Sequence, residues 1–204
     1  MTSAPDTPAA APRRATIDRA TGETEIACTL DLDGAGATDI ATGVGFLDHM
    51  LDALARHARV DLSVRCAGDL AVDDHHTAED CAIAVGAAID RALGDRVGIE
   101  RFGSAYAPLD EALARAVVDL VARPHATVRV PLVRQTLGGL SCEMIPHVLE
   151  SIALNGRFTL HSDLIRGDND HHKAEACFKA FALALRQAVR RTGDGAAPST
   201  KGVM

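Results

Sequence analysis

Two short peptides carry the side chains best suited to chemistry: Asp74-His75-His76-Thr77-Ala78-Glu79 and Asp170-His171-His172-Lys173-Ala174-Glu175. In each, adjacent histidines are followed by a glutamate three and four positions on, and imidazole with carboxylate is a metal-ligating combination. On a helix, residues three or four apart share a face, so both histidines can neighbour the glutamate. The two histidines themselves lie roughly 100° apart around the axis. They cannot easily chelate one ion but can point to two. The copies begin 96 positions apart, at Asp74 and Asp170, and so polar a cluster is seldom repeated for packing. A two-metal site built by two related halves is the expectation.

The likeness extends upstream. His49-Met50-Leu51-Asp52 matches His147-Val148-Leu149-Glu150 at an offset of 98. The candidate ligands become His49, His75, His76, Glu79, His147, His171, His172 and Glu175, or about three histidines and one glutamate per ion. The other three of the nine histidines, His57, His125 and His161, belong to no such motif and read as structural or incidental. Imidazole and carboxylate without thiolate favour Mn, Zn, Fe, Co or Ni as divalent ions; octahedral Mn²⁺ is compatible, and spacing does not rank it above Zn²⁺. The bland alternative is that each histidine pair merely opens a helix, with Asp74 and Asp170 as N-caps. Two copies, each with a matched third histidine upstream, speak against it.

The surrounding pattern supplies elements to hold these residues. Residues 15–19 and 25–32 alternate as strands around Thr21-Gly22, and 38–41 is a short strand. A helix is predicted over 46–58, a strand over 60–66, and a long Ala-rich helix over 75–93, ending at Gly94. The second half repeats the grammar with strands at 101–107, 114–121 and 126–132 and a Gly138-Gly139 break. A helix over 143–154, a strand over 158–164 and a helix over 171–189 follow. The organisation is a disordered leader (1–15), a first α/β half (16–97), a second (98–192) and a C-terminal tail (193–204).

Composition bounds the function. With 204 residues and 47% hydrophobic content the chain can bury a core, but aromatics are only 3%, so Ala, Val, Leu and Ile must build it. A formal charge of −7 argues against nucleic-acid or anionic-membrane surfaces, which reward dense Lys/Arg. No run of 18 apolar residues and no secretory leader pattern is present. Five scattered cysteines with no C-x-x-C fit a reducing compartment, and the cytoplasm is expected.

Longer stretches resemble imidazoleglycerol-phosphate dehydratase, the dehydratase of histidine biosynthesis. They include Gly43-Val44-Gly45-Phe46-Leu47-Asp48-His49-Met50-Leu51, Gly68-Asp69-Leu70, and Gly98-Ile99-Glu100-Arg101-Phe102-Gly103. Pro108-Leu109-Asp110-Glu111-Ala112-Leu113, Arg123-Pro124, Phe178-Lys179-Ala180 and Pro198-Ser199-Thr200-Lys201-Gly202 continue the likeness, which spans residues 16 to 204. It implies an α/β (α+β) fold of duplicated halves, each a small mixed sheet with two helices on one face, the four helices sandwiched between the sheets. It also implies a homo-oligomer of 24 subunits with active sites shared between subunits, and two Mn²⁺ ions per site.

The implied reaction removes water from D-erythro-imidazole-glycerol phosphate to give imidazole-acetol phosphate, with the ring held as an imidazolate between two metals. Carried over residue by residue, the eight ligands stand as above. Arg101, Arg123, Lys179, Ser199 and Lys201 resemble substrate-binding residues, suited to a phosphate ester. Glu23 resembles a substrate-contacting glutamate, and Glu23, Glu175, His76 and His172 are the groups set nearest the chemistry. Departures from the usual pattern are Ala53, Leu109, Ala122 (where glycine is common) and Pro146 beside His147. Two other functions compete. A metal-dependent phosphatase is suggested by Asp31-Leu32-Asp33-Gly34, without the rest of that motif set. A non-catalytic metal-binding cage would leave the phosphate-binding residues unexplained.

Overall fold

Strict alternation of burial makes the strands. In β2 (Thr24–Asp31) the side chains of Thr24, Ile26, Cys28 and Leu30 are buried, while those of Glu25 and Ala27 face out. The computed structural model describes residues 12–193 together with Gly195, Ala197, Ser199 and Thr200. The first half runs β1 (Arg14–Ala20), β2, β3 (Thr38–Ala41), α1 (Gly45–Ala58), β4 (Asp61–Gly68) and α2 (His75–Leu93). The second runs β5 (Phe102–Leu109), β6 (Ala112–Asp119), β7 (His125–Arg129), β8 (Thr136–Leu137), β9 (Leu140–Ser141), α3 (Met144–Asn155), β10 (Thr159–Arg166) and α4 (Asp170–Ala188).

The two four-stranded sheets share one topology, β1-β2-β4-β3 and β5-β6-β10-β7, each with a single parallel pair at the edge. The strand β1 begins at Arg14, inside the stretch read as leader, and Ala15 is buried; residues 1–11 lie outside the described residues. The β8–β9 hairpin, seen in sequence only as a Gly-Gly break, carries Gly138 and Gly139 at φ of 52° and 81°. Ala122 holds a φ of 57°, which explains why glycine would suit that position. Pro146 falls in the first turn of α3 and leaves the helix intact.

Each helix has one face on its own sheet and another on a helix of the other half. The helices α2 and α4 lie across β1–β2 and β5–β6 respectively; α1 packs on α4, and α2 packs on α3. The four helices are thus a layer between two sheets. Their buried faces are dominated by alanine, with Ala78, Ala82, Ala84, Val85 and Ala88 on α2 and Ala174, Ala176, Ala180, Ala182 and Ala184 on α4. Small side chains let the axes come close. At the α2–α3 crossing a Cβ on Gly86 would stand 2.6 Å from the Ile152 carbonyl oxygen. Arg96, almost fully buried, ties the layer to the second sheet. Its guanidinium pairs with Asp90 and donates to the carbonyls of Leu120, Gly156 and Arg157.

Gly86 therefore sets the separation of α2 and α3. Gly86→Ala should cost about 1–3 kcal/mol in denaturant unfolding, as an overpacked contact. It should also weaken divalent-metal binding at the end of these helices, measured by calorimetric titration. Unchanged stability would show that the crossing has room to spare.

Candidate metal centres and substrate site

Helix pairing decides which ligands meet. His49 on α1 approaches His171 and Glu175 on α4: its Nε2 lies 3.1 Å from Glu175 Oε2, and His171 Nε2 lies 3.2 Å from the same oxygen. On the other pair, His147 Nε2 of α3 is 2.9 Å from Glu79 Oε1 of α2, and His75 Nε2 is 3.8 Å from Glu79 Oε2. The imidazole centroids are 5.5 Å apart in the first group and 5.4 Å in the second. Among the described residues, these two trios are the ones whose ligand atoms all lie within 4.8 Å of one another. Two imidazoles and a carboxylate fit a borderline divalent ion. Burial alone would raise the Glu175 carboxyl, but hydrogen bonds from Lys179 (2.7 Å) and His49 hold it down at about 2. The carboxylate is kept charged for a cation.

The count of three histidines and one glutamate per ion is not what a single chain assembles. Each centre holds two histidines and one glutamate, while His76 and His172 stand apart. Their rings are 6.1 Å from those of His75 and His171, at interplanar angles of 82° and 86°, as the 100° step between helical neighbours requires. His76 Nδ1 lies 3.0 Å from Asp69 Oδ2, and His172 Nδ1 lies 2.7 Å from Glu111 Oε2. These carboxylate hydrogen bonds raise both imidazole pKa values above the ordinary range. Backbone N–H groups of Asn169 and Asp168 also donate to Glu111, and with His172 they hold its carboxyl at about 2.

Asp74 is the N-cap of α2 but makes no side-chain cap bond, and the N-cap of α4 is Asn169, one residue before Asp170. The N–H of His75 donates to Asp73 and that of His171 to Asn169, both at 2.9 Å. Asp74 instead accepts from the Ser141 hydroxyl at 2.8 Å, and Asp170 accepts from the backbone of Val133 and Arg134 and pairs with Lys173. These carboxylates fasten the ligand-bearing helix starts to the loop around the β8–β9 hairpin.

Asp69 and Glu111 are the histidine-binding carboxylates that spacing missed. Both lie within the motif strings, yet nothing in sequence pairs Glu111 with a histidine 61 positions away. Glu23 and Glu111 occupy equivalent places, immediately before β2 and β6. In the first half Asp69 takes the histidine Nδ1, which leaves Glu23 about half exposed and 3.5 Å from His76 Nε2.

The substrate-binding residues are divided. Lys179 touches Glu175 within the first centre. Arg101 does not approach it: its N–H donates to the Ala188 carbonyl at the C-terminal end of α4. Glu175 and Ala188 are thirteen residues apart on α4, about 20 Å along a helix axis. Arg101 forks onto Asp119 at 2.7 and 3.1 Å and lies over the Phe102 ring. Its carbonyl accepts from Leu120, three residues before the exposed Arg123. The segment leading to Ser199 starts beside it, where Glu100 bonds Arg190 and Thr192 bonds Gly98. Lys201 lies outside the described residues. The two arginines therefore sit at the far end of the helical layer from the centre on α4.

The family model for imidazoleglycerol-phosphate dehydratase matches residues 42–185. A dehydratase of that name from Phaffia rhodozyma is 54% identical over 197 residues, covering 94% of this chain and 96% of its own. One from Phytophthora nicotianae is 56% identical over 192 residues; the match covers 94% of this chain but 42% of that longer protein. The crystal structure of the Staphylococcus aureus dehydratase superposes with a TM-score of 0.80 at 35% identity, covering 88% of this chain and 99% of that one. No helix among the described residues is long and apolar enough to cross a membrane.

The carboxylate–histidine pairs carry a pH signature in the metal-free protein. A raised His172 pKa stabilises the fold fully below the ordinary imidazole value, and this contribution is lost as pH rises through the raised one. The depressed Glu111 value adds stability above the ordinary carboxylate range that is lost toward about pH 2. Glu111→Gln should therefore lower the thermal midpoint most near about pH 5.5, less above about pH 8 and least toward about pH 2. It should also move the NMR titration of His172 downward; an unmoved His172 would mean that the pair does not form in solution.

Proposed function

The chain belongs to the imidazoleglycerol-phosphate dehydratase family, and from that membership we propose that it dehydrates D-erythro-imidazole-glycerol phosphate to imidazole-acetol phosphate in histidine biosynthesis, as a cytoplasmic enzyme. The observation that carries the proposal is the pair of matched His-His-Glu centres, each assembled across the two halves. His49, His171 and Glu175 would hold one divalent ion, and His75, Glu79 and His147 the other. Two ions, Mn²⁺ in this proposal, would supply Lewis acidity and a template for the two nitrogens of a substrate imidazole held as imidazolate.

The remaining roles fall to side chains. Lys179 keeps Glu175 ionised and in place. Asp69 and Glu111 bind the Nδ1 atoms of His76 and His172, so each ring presents Nε2 outward as its ligand atom. Glu23, exposed beside His76, is suited to carry the proton released when the carbon next to the departing hydroxyl loses its hydrogen. The C–H electron pair becomes the carbon–carbon double bond, the C–O pair leaves with the hydroxyl, which departs as water with a proton, and the enol then ketonises. Arg101, Arg123, Ser199 and Lys201 are assigned to the phosphate, where guanidinium forks and a hydroxyl suit its oxygens.

Distance supports shared active sites. Arg101 is about 20 Å down α4 from Glu175 in the same chain, too far for one substrate to span. The Nε2 atoms of His76 and His172 likewise join neither trio, with Glu23 3.5 Å from the first and Asp110 3.9 Å from the second. Both facts are accounted for if each site combines the centre of one subunit with the histidines, Glu23 or arginines of its neighbours, in a homo-oligomer of 24 subunits.

With Mn²⁺ and imidazole-glycerol phosphate the protein should form the ketone, followed by absorbance after enolisation, with no phosphate released. Phosphate release without the ketone would replace the reading by a phosphatase, and no turnover in metal-replete protein would leave a metal-binding cage. Sharing has its own test. His172→Ala and Arg101→Ala proteins should each lose turnover at least about 100-fold, and mixed, reassembled oligomers should recover part of it. Mixtures as inactive as their parents would rule out sites shared in this way.

A further inference from the structure

Two histidines outside the centres share their ring geometry. His125 on β7 and His161 on β10 have centroids 5.6 Å apart with planes inclined at 43°. The pairs within the two centres stand at 5.5 Å and 46°, and at 5.4 Å and 35°. The likeness does not come from a common local structure, because the centres are made by helices and this pair by parallel strands. In the register of β7 and β10, Thr159 faces His125 and His161 faces Thr127. Leu160 and Ser162 are buried, and Ala126 and Val128 lean on the core. His125, Thr127 and His161 therefore share the outer face of the sheet, and both histidines are exposed.

A hydrogen bond of 3.1 Å joins His125 Nε2 to Thr127 Oγ1. With Nε2–H donating, Nδ1 keeps its lone pair, the arrangement in which a second group orients a metal-binding imidazole. The acidic neighbours on the same face, Asp163 and Asp119, are engaged by Arg115 at 2.8 Å and by Arg101 at 2.7 Å, so the donors at the pair are imidazoles alone. The first sheet has no counterpart: Ser63 and Asp39 stand where His161 and Thr127 face each other. The pair is thus a feature of the second half only and not a relic of duplication.

We propose that His125 and His161 form a third metal site, a two-imidazole chelate on the outer sheet face that takes Cu²⁺, Ni²⁺ or Zn²⁺ with water in the remaining positions. Two imidazoles without a carboxylate discriminate against Mn²⁺, which stands lowest in the divalent series. The site shares no residue with the proposed dehydratase centres, so its fate is independent of that reading.

The test is calorimetric titration of the untagged, Mn²⁺-loaded oligomer with Ni²⁺, comparing wild type with His125→Ala, His161→Ala and the double variant. Exchange of Mn²⁺ in the centres would be common to all four proteins, so the difference between them reports the sheet. Wild type should bind one more Ni²⁺ per chain than the double variant, and each single substitution should remove that ion entirely. Thr127→Val should retain the ion with affinity lowered about 10-fold. Circular dichroism should be unchanged throughout, because the residues are exposed. The proposal is overturned if the double variant binds as many ions as wild type, or if the two single losses merely add.

Discussion

The packing of helices of one half on helices of the other is the contact on which the rest depends. Each sheet is amphipathic and covered by its own two helices, but those helices keep a second apolar face that water would otherwise meet. Laying α1 on α4 and α2 on α3 buries both faces at once. Alanine and glycine make the approach close enough for the short reach of a histidine and a glutamate on opposite helices to meet. The centres are therefore consequences of core packing: a half alone carries ligands but no complete trio.

Within that frame, the adjacent histidines resolve a geometric conflict. One ring of each pair turns into the helix–helix seam and joins a trio; the other turns out to a carboxylate on a strand end or turn. Asp69 and Glu111 thereby fix the orientation of side chains that join neither trio. Charge is balanced locally in the same way: Lys179 offsets the partly buried Glu175, and Lys173 the buried Asp170. Buried ions persist here because each has a specific opposite partner.

The two halves share one topology, yet their details differ. Asp69 holds its histidine after β4, whereas Gly167 stands at the matching place after β10, and Glu111 does the work from the turn before β6. That exchange leaves Glu23 less committed than Glu111, which agrees with its proposed role in proton transfer. Thr77 in the first half corresponds to Lys173 in the second, an apolar-side neighbour in one case and a buried cation in the other. The histidine pair on the second sheet is a further divergence.

Much was legible in the residues alone. Helical spacing marked the candidate ligand types and predicted that neighbouring histidines must separate, as their rings do. The repeat placed His49 and His147 beside the two motifs, and alternation marked the strands to within a few residues. These are local properties, dictated by periods of 3.6 and 2 residues. Four things were decided by tertiary structure: which histidine meets which glutamate, the carboxylates that orient His76 and His172, the bonds of Asp74 and Asp170 to the loop around the β8–β9 hairpin, and the distance from Arg101 to Glu175. Each is a through-space relation between segments far apart in the chain. Such relations are set by how the apolar helix faces choose partners across the layer, and no local periodicity encodes that choice.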